Sequence, residues 1–505
     1  MITYIVRRLL LMIPTLVGIT FLVFMIIASA PGGIGVALRV SGGTMTSQTS
    51  AAKLEAYLQD RYGLDDPVPV QYLRWLSRVS PIKLGARDLI APDGTRVRAP
   101  REAKPPPLAA WYDDGAALEE NPPADPLAGE TARERYIAAD RAHADARQAY
   151  IGAVTDLKQA IGRYARAAKV RDGLTREGDP RLGRLARHQP VRALPEFTEV
   201  ERLGRAALSK RAALDTARAR LVGAIREKPY PQAGLPIIPG VVSIDTPDLG
   251  VAYSRQRPVK DLIATALPVT LLLNAIAFPI IYLVAVPGGM LAAMHRGTWI
   301  DASLGFVKIA LWSTPTVLAG VIAQGFFASP DYLHAFPVAG LHDARHATMP
   351  FFPTRVGGDF VPGYLLDTLW HLCLPVTCLV YTGFAVLSKQ TRAALLDNYN
   401  ADYVRTAKAK GVSDRDILLR HVFRNSLLPL ITMFVTIFPA SLAGSIVIER
   451  IFTVPGMGSQ IIEAIYLRDR ELLLANTLMI SGVNLFALLL ADILYAFADP
   501  RVTYD

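Results

Sequence analysis

Residues 9–28 form an almost unbroken apolar run, and five more such runs follow at approximately 267–291, 303–327, 369–387, 427–448 and 472–497. A helix of about 20 apolar residues crosses a hydrocarbon layer of about 30 Å, and within that layer each segment has to satisfy its own backbone hydrogen bonds. The chain is therefore expected to cross a membrane six times as helices. The rest of it does not belong in lipid. Of 505 residues 51% are hydrophobic, the mean hydropathy is only +0.27 and the net charge is +10, too apolar for an ordinary soluble enzyme and too polar for a chain buried in lipid throughout.

Charge sets the expected orientation. Arg7 and Arg8 flank the first run and hold the N-terminus in the cytosol, because basic residues beside a span are retained on that side. Ala28-Ser29-Ala30 resembles a signal-cleavage site, but the apolar run is longer than a signal core and Pro31 would follow the cut, so an uncleaved helix is expected. Six spans return the C-terminus to the cytosol. The short turn with His295 and Arg296 falls on the same side, as does the loop at 388–426.

That loop is the most informative polar stretch of the chain. Lys389, Arg392, Arg405, Lys408, Lys410, Arg415, Arg420 and Arg424 outnumber Asp397, Asp402, Asp414 and Asp416, which suits a cytosolic segment that docks a partner. From Tyr403 good helix formers continue to Gly411, and Ser413 with Asp416 three residues on reads as a capped restart. Two short helices with a glycine hinge are expected.

Residues 31–258 contain no spanning run, so they are expected outside the membrane, opposite the N-terminus; long exported loops are not governed by their charge. Residues 101–107 and 121–126 are Pro-rich linkers. Tyr136, Ala139, His143, Ala146, Tyr150, Ala153, Leu157, Ala160 and Tyr164 recur at steps of three and four, and Val200, Leu203, Ala207, Lys210, Leu214, Ala217, Leu221 and Ala224 form a second seam. Gly173, Gly178, Pro180, Gly183, Pro190 and Pro195 forbid one continuous helix between them. We expect an antiparallel helical hairpin, with arms at about 131–168 and 196–227, inside an insert at 87–245. The preceding stretch, 31–86, is a periplasmic segment, and 246–505 is the membrane core. The hairpin's basic faces carry interleaved acids and no aromatic-rich binding motif, so no nucleic acid is expected as a partner.

Several chemistries are absent from the pattern. There is no G-x-x-x-x-G-K-[ST] loop, nucleophile elbow or H-E-x-x-H pair, and Pro455-Gly456-Met457-Gly458 lacks the third glycine of a dinucleotide fingerprint. The chain is not expected to be an enzyme, to hold a metal or to bind a cofactor. The Pro-Gly-Met-Gly turn instead reads as an outer loop dipping back toward a cavity. Cys373 and Cys378 sit in one apolar run, as small buried side chains rather than a disulfide or metal pair. Inside the spans, Asn484 and Asp492 read either as a proton-coupling pair or as polar groups satisfied within the bundle. Lys308 is expected to snorkel to the cytosolic surface. His334, His342 and His346 share the outer loop at 328–366, where a metal site would need a fixed geometry that spacing alone does not show.

Arg405-Thr406-Ala407-Lys408-Ala409-Lys410-Gly411, followed by Arg420-His421, Arg424-Asn425 and Leu428-Pro429, resembles the cytoplasmic EAA-type loop of ABC-transporter membrane subunits, in the form used by peptide and nickel importers. Arg405 and Thr406 stand in the usual Glu and first Ala places, and Pro429 lies farther from Gly411 than in the general pattern. Ile2-Arg7-Arg8-Pro14-Thr15, Ala30-Pro31-Gly32, Arg61-Tyr62-Gly63-Leu64-Asp65, Leu267-Pro268-Val269-Thr270, and Glu449, Phe452 and Pro455-Gly456-Met457-Gly458 are similar to other parts of that subfamily. Trp370-His371-Leu374-Pro375 and Asp499-Pro500-Arg501-Val502 look most like its microcin C and oligopeptide type. The likeness covers nearly everything outside residues 87–245.

The resemblance implies an all-α membrane protein of six transmembrane helices, here with an extramembrane helical hairpin added. It implies a permease subunit of an ATP-driven, binding-protein-dependent importer of peptides or peptide-like compounds, located in the bacterial inner membrane. Asp402, Tyr403, Arg405, Thr406, Ala407, Lys408, Ala409, Lys410, Gly411, Arg420 and Pro429 would form the ATPase-coupling loop, and Pro455, Gly456 and Gly458 an outer gate. The implied partners are a second permease subunit, two cytosolic ATPase domains that use ATP and magnesium, a substrate-binding protein outside and membrane lipid. A secondary transporter or channel would need internal repeats with matching broken helices, and no such self-similarity is evident. A membrane-anchored scaffold or sensor would not need six spans and a specialised loop.

Overall fold

The computed structural model describes residues 2–29, 63, 66–94, 96–113, 115, 131–174, 180–252, 254–255, 257–356 and 359–498. The expected linker at 121–126, the motif residues 30–32 and most of 61–65, and the C-terminal motif at 499–502 lie outside them. In chain order the main elements are α1 (Ile2–Ser29), α2 (Val68–Val79), β1 (Ile82–Leu84), β2 (Leu89–Ile90), β3 (Arg96–Val97), α3 (Ala132–Ala167) and α4 (Pro195–Arg226). Next come β4 (Leu235–Ile238), β5 (Val242–Ile244), β6 (Val251–Ala252), β7 (Arg257–Pro258), α5 (Val259–Met294), α6 (Trp299–Ser313) and α7 (Thr316–Ile322). The chain ends with β8 (Thr354–Val356), β9 (Asp359–Val361), α8 (Gly363–Tyr399), α9 (Asp402–Ala409), α10 (Leu427–Ile451), α11 (Met457–Tyr466) and α12 (Arg470–Ala498). It divides into two units, Met1–Gly33 with Leu249–Asp505, and Ile34–Asp248.

The first unit is an all-α membrane bundle. Among the described residues helices α1, α5, α8, α10 and α12 are each long and apolar enough to cross a membrane, and a bent pair, in which Trp299–Ser313 meets Thr316–Ala328 at 94°, makes six if it is one broken span. The sequence led us to expect one uninterrupted helix at 303–327. Pro315 has no N–H to donate and pushes Thr314 into an extended conformation at φ −84° and ψ 117°. The Thr314 carbonyl, freed by the break, accepts from the Tyr381 hydroxyl of α8 at 2.9 Å. Pro14, Pro268, Pro279, Pro287, Pro375 and Pro439 remain inside helices, so proline composition alone does not locate the bend.

Helix α8 also differs from its expected length. It does not stop near residue 387 but continues to Tyr399, because no glycine or proline interrupts the sequence between Gly383 and Tyr399. The first part of the basic loop is thus a helical stalk of roughly 18 Å. Helices α5 and α8 pack along their lengths, with Leu273, Leu372, Leu379 and Ile448 of α10 in one buried cluster and Ile281, Leu387 and Leu430 in another. Their backbones meet at Gly289, where an added Cβ would lie 2.7 Å from the Ser388 carbonyl oxygen. Arg392 of α8 grips Asp301 of α6 with both ends of its guanidinium, at 2.7 and 2.6 Å. Lys308 does not snorkel: it is only 6% exposed, within electrostatic reach of Asp301 and Arg392.

The second unit is built on α3 and α4, which pack against each other. Thr131 caps α3 by accepting from the Glu134 backbone N–H, while the Glu134 carboxylate accepts from the Thr131 N–H. Leu157, Ile161, Tyr164, Phe197, Val200 and Ala207 fill the interface, closed at one end by Trp111 and Tyr112. The steps of three and four predicted this face, except that Lys210 points to solvent. Gly204 lets the Tyr112 ring approach to where a Cβ would be 2.6 Å from it.

Two parts of this unit depart from expectation. Residues 101–107 are no loose linker: the Lys104 and Pro107 carbonyls accept from the hydroxyls of Tyr150 and Tyr112 at 2.6 and 2.5 Å, and the Pro100 carbonyl accepts from Arg218 at 2.9 Å. Prolines lack donors but keep carbonyls, and Tyr112 and Arg218 satisfy those of Pro107 and Pro100. The boundary also shifts, because β1 pairs with β5 and β5 with β4 in a three-stranded antiparallel sheet. Residues 66–86 therefore fold with the insert.

Asp66 fastens this strap. It pairs with Arg74 at 2.5 Å, Arg101 at 2.8 Å and Lys104 at 3.0 Å. Burial acts to raise its pKa, but the Lys104 hydrogen bond and the charges of Arg101 and Arg74 outweigh it and hold the carboxyl below the usual range. A carboxyl depressed in the folded state adds stability above its unfolded pKa and loses it as pH falls through the folded value. Thermal melting should therefore show the unit losing stability below about pH 4, and Asp66→Asn should lower the neutral-pH melting temperature and flatten that acid limb. An unchanged acid limb in the variant would exclude Asp66 as its source.

Candidate coupling loop and outer gate

Helix α9 is amphipathic over two turns. Val404 and Ala407 are buried in one cluster with Leu395, Ile417, Leu418 and Val422, with Tyr399, Met290 and Ala293 at its margin, so its apolar face packs on the turns at 417–422, in a cluster shared with the ends of α5 and α8. Tyr403, Arg405, Thr406, Lys408, Ala409 and Lys410 face outward. Asp402 lies in the first turn, where the helix dipole favours an acid. Gly411 follows the C-terminus with φ +76°, the left-handed conformation that ends many helices and that glycine adopts without strain. Ser413 then caps the next turn by accepting from Asp416 N–H at 3.2 Å, as the sequence pattern predicted.

The remaining turns, 414–425, are clasped to α8. The buried Ser426 hydroxyl donates to the Ala394 carbonyl at 3.1 Å and accepts from the Asn398 side chain at 3.1 Å. Pro429 occupies the first turn of α10, where its missing N–H costs nothing. The basic residues stay exposed, in loose ion pairs: Arg405 with Asp402 at 3.5 Å, Lys408 with Asp414 at 3.5 Å and Arg420 with Asp416 at 3.3 Å. Such exposed pairs are weak and exchange readily for a partner's acids. The arrangement can bind and transmit a push; it offers no nucleophile paired with a base.

At the other end of α10, Glu449 is fully buried. One carboxylate oxygen accepts from the Gly458 and Ser459 N–H groups at 2.7 and 3.1 Å, and the other accepts from the Thr270 hydroxyl of α5 at 2.7 Å. Thr270 in turn accepts from Met457 N–H at 2.8 Å. The Pro455-Gly456-Met457-Gly458 stretch is thus the start of helix α11 rather than only a dipping loop, and a buried carboxylate stands at that helix's N-terminus. A Cβ on Gly458 would collide with the Ile446 Cα of α10 and lie 2.9 Å from the carboxylate, which accounts for glycine there. Gln460 donates to the Leu262 carbonyl at 2.9 Å, and Asp469 accepts from both the backbone N–H and the hydroxyl of Ser254 at 2.9 Å. Sequence reasoning took Glu449 only as part of a resemblance; the signal was an acid seven residues ahead of a Gly-x-Gly pair.

The other predicted polar residues are placed separately. Asp492 of α12 pairs with Arg8 of α1 at 3.1 Å, a satisfied contact within the bundle. Asn484 has a buried side-chain oxygen, and Asn476, one face earlier on α12, is fully buried with both amide atoms lacking hydrogen bonds. His342 bonds Tyr364 at 2.8 Å and Thr368 at 3.0 Å and stacks on His346. Burial, with His346 alongside, holds its imidazole below the usual pKa. Among the described residues no group of three or more His, Cys, Asp or Glu could hold a metal.

Five membrane-length helices with a further bent pair, a short helix with a basic outer face and a carboxylate-capped helix are the parts of a multi-pass membrane subunit. Residues 285–504 match the model of the binding-protein-dependent transport system inner membrane component family. The chain is 34% identical over 260 residues to the inner membrane ABC transporter permease protein YejB of Escherichia coli O157:H7, a match covering 51% of this chain and 68% of that protein. It is 33% identical over 258 residues to the oligopeptide transport system permease protein AppB of Bacillus subtilis, covering 51% of this chain and 76% of that one. The dipeptide transport system permease protein DppB of the same organism is 30% identical over 262 residues, covering 52% and 76%. The chain belongs to this family: it is a multi-pass inner-membrane permease subunit of a binding-protein-dependent importer.

Proposed function

We propose that this chain forms one half of the pathway of an ATP-driven importer of peptides or peptide-like compounds, a second permease subunit forming the other half. The observation that carries the reading is α9, whose buried Val404 and Ala407 seat it in a cluster shared with the ends of α5 and α8 while its basic face is free to a partner. Two cytosolic ATPase domains, which bind the ATP and magnesium, dock on that face; this chain binds neither. Their closure shifts α9 with the turns at 414–425 as a block, and α5 and α8 exchange inward-open for outward-open access. The Glu449-capped α11 serves as the outer gate, opposite a substrate-binding protein. Relatives named for oligopeptide and dipeptide transport support the substrate class.

In this reading both termini and α9 are cytosolic and the unit built on α3 and α4 is outside. A cysteine at the exposed Ser209 should react with a membrane-impermeant thiol reagent in cells whose inner membrane is intact, and one at Ser413 should not. The reversed pattern would invert the topology. Uptake of labelled oligopeptides into sealed vesicles tests the function: it should require ATP, the ATPase subunits and the second permease together. Uptake by this chain without ATP would favour a secondary transporter or channel.

A further inference from the structure

The sheet β1-β5-β4 has one covered face and one bare face. Its register places Ile82, Ile244 and Leu235 in one cross-strand row and Leu84, Val242 and Ile238 in the next, all on the same side because side chains alternate along a strand. Ser243, on the other side, is only 2% exposed. On the bare side Leu84 is 80% exposed, Leu235 76% and Ile238 52%, where an antiparallel sheet facing water carries polar residues. Residues 235–244, LPIIPGVVSI, contain no charge. A contiguous apolar face of this kind marks a docking surface.

Three observations select what covers it. First, the charges beside it are turned away: Lys83 donates to the Ser77 and Arg78 carbonyls, Arg87 donates to the Gly234 carbonyl, and Asp245 is paired with Arg96, leaving no charge pattern for a protein partner to match. Second, edge strand β4 carries Pro236 and a register break between Pro236 and Ile238, which blunts strand addition by a peptide or a second copy. Third, fourteen residues separate Ile244 from Val259, the first residue of membrane helix α5, a reach of at most about 50 Å. We infer that this face lies on the lipid bilayer that holds the chain's own helices, with the β4–β5 hairpin seated in the interfacial layer, roughly 5–10 Å deep as other surface-bound apolar faces are.

The test uses the full chain with Cys373→Ala and Cys378→Ala, carrying Leu84→Cys or Ile238→Cys with an environment-sensitive fluorophore, in phosphatidylcholine nanodiscs. Both substitutions are at exposed positions, and unchanged helical circular dichroism certifies folding. The emission at both sites should shift to the blue and fall by about half when nitroxide-bearing lipid is included, while a label at Ser209 does neither. Labels at 84 and 238 that remain open to aqueous iodide and indifferent to nitroxide lipid overturn the inference. So does shielding that occurs only after the second permease subunit or the substrate-binding protein is added. The readout needs no transport, so it stands or falls apart from the function proposed above.

Discussion

Gly411→Pro should abolish ATP-dependent uptake by the assembled transporter while leaving the chain inserted and the complex formed. Gly411 holds φ +76°, whereas proline is locked near φ −65°, and the Gly411 N–H that proline would delete donates to the Lys408 carbonyl at 3.0 Å. The turn joining α9 to the capped restart at Ser413 would have to rearrange, and α9 would no longer move with 414–425 as one block. Gly411→Ala provides the graded control: no neighbour lies within 4 Å of an added Cβ, so the cost is only the strain of the left-handed conformation, about 1 kcal/mol. Uptake should then fall by a few-fold at most. Arg405→Glu, on the exposed face, should lose coupling without loss of stability, since the ion pair it makes with Asp402 is an exposed one. The measurement is the ratio of uptake to ATP hydrolysis in proteoliposomes. Normal ratios in Gly411→Pro and Arg405→Glu would remove α9 from the coupling path.

The second large effect is expected from Glu449→Ala. Removing the carboxylate leaves the Gly458 and Ser459 N–H groups and the Thr270 hydroxyl without their acceptor in a fully buried place. Each buried unpaired group costs on the order of 1–3 kcal/mol, so a loss of about 3 kcal/mol or more is expected, concentrated at the α10–α11 junction. A cysteine at Ser459 should become reactive to a thiol reagent in the variant, and the detergent-solubilised protein should melt several degrees lower. Glu449→Gln should be milder, because the amide oxygen still accepts from the N-terminus of α11. Equal reactivity of the Ser459 cysteine in wild type and Glu449→Ala would show that the carboxylate does not hold the gate helix.

These two sites were legible to different degrees. The candidate coupling loop is local: Val404 and Ala407 are three apart on one helical face, Gly411 marks an end and Ser413 with Asp416 marks a start, and all of this reads from neighbours in sequence. The carboxylate cap of α11 is not local. Glu449 meets Thr270 across 179 residues, and nothing near either residue announces the other. Asp492 likewise has an acid's usual ambiguity inside a span until Arg8, at the far end of the chain, is seen 3.1 Å away.

The same division runs through the fold. The sequence alone located five membrane-length helices, because crossing a hydrocarbon layer needs only a sufficiently long apolar segment, a property of each stretch by itself. It determined the α3 and α4 faces for a similar reason, since a helix repeats every 3.6 residues whatever it packs against. Tertiary structure decided where the bent pair at 299–328 breaks, for the same proline chemistry recurs within intact helices, and at Thr314 a hydroxyl from another helix satisfies the freed carbonyl. It also decided that β1 joins the insert: strands of three residues carry no signal for a partner some 160 positions away, and their pairing is chosen by what the rest of the chain brings alongside.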